Sequence, residues 1–113
     1  SQRAKDYAIR WAAQIGKQEV VSILLEEGAN PNAGLVFAAA YNQPEILRQL
    51  INAGADVNLH NVDAVRWAIK RGYAQILKIL FEKGAKPNKE DVIRLAEKNG
   101  EAEIISIVNE YLT

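Results

Sequence analysis

Few side chains in this sequence are of types that do chemistry, and their spacing limits what they can do. His60 is the only histidine, in the stretch "LHNV", and there is no cysteine. An imidazole works as a general base when a nucleophile or an orienting acid accompanies it. No motif of that kind surrounds His60, which reads as a solvated turn residue. Glu26 and Glu27 are adjacent carboxylates directly before Gly28. Paired acids can exchange protons, but at the end of an amphipathic segment they read as solvated surface. No phosphate loop, zinc spacing or nucleophile elbow is present. The expectation is therefore no catalytic, metal-binding or cofactor-binding residue, no cofactor, and no enzyme. Three of the six arginines recur in matched phrases, "AIRWA" (Arg10), "AVRWA" (Arg66) and "VIRLA" (Arg94). Their guanidinium groups could bond backbone carbonyls of a neighbouring element, or form a ladder that holds a ligand.

Arginines in matched phrases imply matched elements. "GANPN" begins at Gly28, "GADVN" at Gly54 and "GAKPN" at Gly84. Twelve residues before each stands Gly16, Asn42 or Gly72, and Gly100 fills the same slot in a fourth copy. Fixed self-similarity of this kind marks a repeat architecture. The copies are "YAIRWAAQIGKQEVVSILLEEGANPN" from residue 7, "AGLVFAAAYNQPEILRQLINAGADVN" from 33, "DAVRWAIKRGYAQILKILFEKGAKPN" from 63 and "DVIRLAEKNGEAEIISIVNEYLT" from 91. Each reads as two helices. The second carries apolar residues at helical spacing, such as Val20, Val21, Leu24 and Leu25. It stops at a Gly that can take positive φ. The first helix is short and alanine-rich, closed by Gly or Asn. No useful run alternates with period two, so strands are not expected.

Aligned columns assign roles. Ala12, Ala38, Ala68 and Ala96 form a small-residue column that permits close helix approach, beside Ile9, Leu35, Val65 and Ile93. Trp11, Phe37, Trp67 and Leu95 form a large apolar column, read as stacked core rather than an aromatic ligand platform. In the fourth copy Glu97 replaces the apolar series Ala13, Ala39, Ile69, and Asn109 replaces Leu25, Ile51, Phe81. A terminal repeat needs a polar outer face, so this copy reads as a cap. The first copy has no such change. Its outer face is covered by "SQRAKD", or by repeats upstream, or by another molecule.

The units resemble ankyrin repeats, most closely in "GKQEVVSILLEEGANPN" and recognisably in "QPEILRQLINAGADVN" and "YAQILKILFEKGAKPN". The resemblance implies an all-α, ankyrin-like α-solenoid of four helix-turn-helix repeats. Two features depart from the family pattern. The period falls from about 33 residues to glycine steps of 26 and 30, read from Gly28, Gly54 and Gly84. The missing residues lie between units, so short turns are expected in place of projecting hairpin fingers. The arginine column occupies the slot in which the family usually holds a histidine that bonds backbone. The expected organisation is one domain over residues 1–113, with repeats near 1–32, 33–58, 59–88 and a capping 89–113.

The family resemblance implies a protein-protein interaction module or scaffold whose contacts come from the inter-helix turns and the inner helices. By position, the partner-binding candidates are Gln14, Ile15, Tyr41, Lys70, Arg71, Lys98 and Asn99, with Ala40 completing the row. The implied partner is another protein, with a monomer as the default state and association through the first repeat as a variant. The alternative is a structural spacer, a fragment of a longer array or an engineered scaffold without a natural partner. Fourteen basic and fourteen acidic residues cancel, which gives no general attraction to nucleic acid or a membrane surface. Residues 59–88 hold six basic and two acidic side chains, net +4, and residues 89–113 hold three and six, net −3. Adjacent layers of opposite sign favour attraction between repeats over a basic stripe for nucleic acid. No apolar run approaches the roughly twenty residues of a membrane span, and no charged-then-apolar leader opens the chain. With no cysteine, the expected location is intracellular, in the cytoplasm.

Overall fold

The computed structural model describes residues 1–112, so the expected boundary at residue 113 lies outside the described residues. The all-α class and the helix-turn-helix units read from the sequence are present, and no strand occurs among the described residues. The chain forms two compact units, Ser1–Asp56 and a second beginning at Val57. The first contains α1 (Gln2–Ile15), α2 (Gln18–Glu26), α3 (Asn32–Ala40) and α4 (Pro44–Asn52). The second contains α5 (Leu59–Arg71), α6 (Ala74–Glu82), α7 (Lys89–Asn99) and α8 (Ala102–Leu112).

Each unit is two helix pairs laid side by side. In the first, α1 packs on α3 and α2 on α4. In the second, α5 packs on α7 and α6 on α8. The alanine column sits where helices meet, and Ala12, Ala38, Ala68 and Ala96 are all buried. Ile9, Leu35, Leu47 and Leu50 fill the first core, and Val65, Ile76, Leu77 and Leu80 the second. Burying an aliphatic side chain of this size contributes about 1.5–3 kcal/mol, so these columns dominate stability. Gly34 in α3 belongs to the same close approach, since a Cβ there would lie 3.2 Å from Leu50 Cδ1.

The predicted turn positions all take left-handed backbone: Gly16 (φ 86°), Asn42 (φ 57°), Gly72 (φ 74°) and Gly100 (φ 80°). At Gly72 a second constraint applies, because a Cβ would collide with the Glu101 carboxylate. Short turns join successive pairs, as the missing finger residues required. One departs from a simple turn: His60, Asn61 and Val62 wind left-handed, with φ between 52° and 58°, at the start of α5. Left-handed backbone costs an L-residue roughly 1–2 kcal/mol, and β-branched Val62 is the least suited to it. Val62 is nevertheless buried, and that packing offsets part of the strain.

A recurrent side-chain latch ties the beginning of a pair's first helix to the loop that follows its second. Asp6 Oδ1 accepts the backbone N–H of Asn30 at 2.8 Å. Asn32 Oδ1 accepts that of Asp56 at 2.7 Å, and Asn58 Oδ1 that of Lys86 at 2.7 Å. Each donor lies two residues past the glycine that ends the second helix of the same pair. Asn58 also donates to the Gly84 carbonyl, and Gln2 to that of Gly28. Asn88 occupies the same slot but accepts from Asp91 N at 2.9 Å, capping its own helix α7.

Two expectations need correction. The tryptophan column is not uniformly core: Trp11 is 52% exposed, and Phe37, Trp67 and Leu95 are half-buried. Alanines close the helix interface so tightly that the bulky neighbours are pushed to its margin. The segment "SQRAKD" does not cover the first repeat either. Residues 2–6 continue α1 along its own axis, with Ser1 Oγ capping Ala4 N. Tyr7 remains 70% exposed.

Candidate functional site

The row of residues preceding the inter-helix turns divides between the two units. In the first, Ile15 and Tyr41 are exposed, Gln14 is half-buried and Ala40 is buried. Positive φ at Gly16 and Asn42 turns the chain sharply and leaves the preceding side chains on the rim. The side chain of Gln43 spans the two turns, its Nε2 donating to the Gln14 carbonyl at 3.3 Å. Ile15 and Tyr41 therefore flank a fixed backbone platform.

In the second unit, Lys70 and Arg71 end α5, Lys98 and Asn99 end α7, and the two helices pack together. Lys70 Nζ lies 5.6 Å and the Arg71 guanidinium carbon 4.9 Å from the Trp67 ring centroid. Both distances suit cation–π attraction. Lys70, Leu95, Lys98 and Asn99 line an open groove of about 390 Å³. Two ammonium groups and an apolar floor make it suited to an acidic, partly apolar segment. Asn99 also steadies the turn that follows it. Its Oδ1 accepts the Glu101 N–H at 2.9 Å, and its Nδ2 donates to Glu101 Oε1 at 3.2 Å.

Sequence reasoning misses Leu95 and Trp67 as surface participants because an apolar column reads as core. The signal that separates them is the alanine beside each, which takes the helix contact for itself.

The arginine column does neither job proposed for it in full. Arg66 Nε pairs with Asp91 Oδ2 at 3.2 Å and Arg94 approaches Asp91 Oδ1 at 3.9 Å, so both converge on a carboxylate rather than on backbone carbonyls. Arg10 lies over Tyr7, 6.0 Å from the ring centroid. A larger polar hollow of about 600 Å³ surrounds Asn58, Asn61, Arg66, Lys86, Asn88 and Asp91. Its principal groups are committed to the latches and to the Arg66–Asp91 pair. His60, Glu26 and Glu27 are exposed. Among the described residues, no cluster of three or more His, Cys, Asp or Glu is placed to hold a metal. None of the described helices is long and apolar enough to cross a membrane.

Comparison with known proteins bears on the repeat architecture. Cyclin-dependent kinase 4 inhibitor B of Mus musculus is 42% identical over 66 residues, which is 57% of this chain and 51% of that protein. Ankyrin repeat domain-containing protein SAT10 of Stachybotrys chartarum is 35% identical over 89 residues, 70% of this chain and 5% of that protein. E3 ubiquitin-protein ligase KEG of Arabidopsis thaliana is 33% identical over 85 residues, 66% of this chain and 5% of that protein. The chain thus spans about half of the first relative and a small part of the other two. The family model for ankyrin repeats, in three copies, matches residues 9–91. That match covers most of the chain, and the chain belongs to the ankyrin-repeat family.

Proposed function

We propose that this chain is a non-catalytic binding module that captures another protein through the turn row, inside the cell. Ankyrin repeats are protein-interaction modules. The observation that carries the reading here is the groove of Lys70, Leu95, Lys98 and Asn99, which gathers three of the seven candidate residues around an apolar floor. Beside it, Trp67 holds Lys70 and Arg71 in place. Aromatic and Arg side chains are the usual energetic anchors of interfaces. Tyr41 and Ile15 supply the apolar part of the row. A relative named as an inhibitor of a kinase supports a protein as the class of target.

The test is affinity capture from the native host, comparing wild type with Lys70→Glu/Lys98→Glu and with Tyr41→Ala. The captured protein should be lost with the charge reversal and weakened with the tyrosine change, at unchanged helix content. Equal retention by all three would place the interface elsewhere. We further infer that residues 1–113 act as one repeat domain. A single calorimetric transition with matching van't Hoff enthalpy is the expected result, and two transitions would separate the units.

A further inference from the structure

One segment departs from the repeat pattern in several ways together. From latch residue to buried alanine the first two repeats count six residues, Asp6 to Ala12 and Asn32 to Ala38, whereas the third counts ten, Asn58 to Ala68. The four additional residues, 59–62, carry the left-handed segment. They form a single turn, closed by the Val62 N–H on the Asn58 carbonyl at 3.4 Å and anchored by the buried Val62 side chain. The latch from Asn58 to the Lys86 N–H forms at the same 2.7 Å as the one from Asn32, which has no such turn beside it. Closing the helix pair therefore does not require the added turn. Non-glycine residues held left-handed are strained, and such strain gathers where a ligand is gripped.

What the added turn does build is part of the wall of the polar hollow. Asn61 and Val62 line it, with Arg66 of α5, Lys86 and Asn88 before α7, and Asp91 of α7. Its accepting oxygens are largely engaged. Asn58 Oδ1 takes the Lys86 N–H, Asn88 Oδ1 takes the Asp91 N–H, and the Asp91 carboxylate faces both Arg66 and Arg94. The donors are not. Arg66 Nε is shut away from solvent and meets Asp91 Oδ2 at 3.2 Å as a charge pair, without a hydrogen bond among the described residues. The Lys86 ammonium and the amide groups of Asn61 and Asn88 line the same space. A hollow with engaged acceptors and cationic donors to offer takes an anion. With Arg94 beside Asp91, the charges of Arg66 and Lys86 match a phosphate monoester, which carries about −1.5 to −2 at neutral pH. We propose that this hollow binds a phosphate monoester, with Arg66 and Lys86 pairing its oxygens and the amides of Asn61 and Asn88 completing the set. The hollow, about 600 Å³, exceeds a lone phosphate group, so the group arrives on a carrier, either a small phosphorylated compound or a phosphorylated side chain. This site lies toward the starts of α5 and α7 and the turn row at their ends, and neither reading depends on the other.

NMR titration of isotope-labelled protein with glycerol phosphate, and separately with a Gly-phosphoserine-Gly peptide, tests it. Both probes should give saturable shifts at the Arg66 Nε–H and at the Asn61 and Asn88 side-chain amides, and glycerol and the unphosphorylated peptide should give none. Tighter binding of the peptide identifies a phosphorylated side chain as the carrier, and tighter binding of glycerol phosphate a small compound. Lys86→Ala should bind on the order of 10-fold more weakly, with unchanged circular dichroism. Deleting residues 59–62 restores the six-residue spacing of the first two repeats, so that variant should keep its helix content and lose the response. Lys70→Glu/Lys98→Glu should bind both probes as wild type does. A wild type that shows no saturable shift with either probe overturns the proposal. So does a Lys86→Ala variant of undiminished affinity, or a deletion variant that still responds.

Discussion

The two units share a scaffold and differ in surface. In the first, α3 reads "NAGLVFAAA" without one charged residue, and the turn row presents Ile15 and Tyr41. In the second, its counterpart α7 reads "KEDVIRLAEKN", and the row presents Lys70, Arg71, Lys98 and Asn99. Yet both bury the same alanine column, turn on the same left-handed positions and use the same amide latch. Columns that recur fix the geometry, and columns that vary are free to choose a partner. An interaction site in a repeat protein is therefore found by subtracting what repeats.

The comparison can be broken most forcefully in the recurring columns. Leu47→Ala in the first unit and Leu77→Ala in the second each remove a fully buried side chain. Each should cost about 2–5 kcal/mol by urea denaturation, whereas Trp11→Ala should cost about 1 kcal/mol or less, as an exposed substitution. A Trp11 variant as damaging as the leucine variants would return that ring to the core.

Next in size come the turns. Gly72→Ala must place a Cβ in left-handed backbone and displace the Glu101 carboxylate, and it should cost about 2 kcal/mol or more in melting experiments. Asn42→Ala meets the backbone term alone, about 1 kcal/mol. Smaller again are the latches. Asn32→Ala and Asn58→Ala should each cost about 0.5–1.5 kcal/mol. Hydrogen exchange should show faster opening at the Asp56 amide in the first variant and at the Lys86 amide in the second.

The subtlest test uses the one latch that carries a charge. The Asn30 N–H holds the Asp6 carboxyl below its ordinary range, with Gln2, Arg10 and Lys5 adding to the effect against some desolvation. A carboxyl whose folded pKa is lowered contributes stability that is fully present above its unfolded value of about 3.9. That contribution disappears as pH falls through the folded value. Asp6→Asn keeps an accepting oxygen but cannot titrate. Its urea midpoint should therefore depend less on pH below about 4 than that of wild type, and identical profiles would show that the latch does not feel its charge.

Much of this is legible in the sequence because it follows from periodicity. Helix pairs, turn slots and the buried alanines come directly from residue spacing, and short inter-repeat turns from the shortened period. Three features of the fold are not legible. An apolar column reports a preference for burial without saying what does the burying, so Trp11 and Trp67 look alike, and alike core. The latches are hidden because a lone Asp or Asn reads as a turn former, a helix cap or solvated surface. Their recurrence at Asp6, Asn32, Asn58 and Asn88, in steps of 26, 26 and 30, is the available signal. The left-handed His60–Val62 segment runs against local propensity, since a β-branched side chain disfavours it. Only the tertiary position of buried Val62 accounts for it. Among the candidate site residues, exposure of Ile15, Tyr41, Lys70, Arg71 and Lys98 follows from their place before a turn. The groove follows from nothing local, because it needs α5 and α7 side by side.

Asn88 stands in the latch column but accepts from the first turn of its own helix α7. One residue type at one repeat position can therefore either close a helix pair onto its exit loop or cap a helix start. Changing a latch residue weakens a joint between segments distant in sequence, whereas changing Asn88 touches one helix end, at a cost of about 1 kcal/mol.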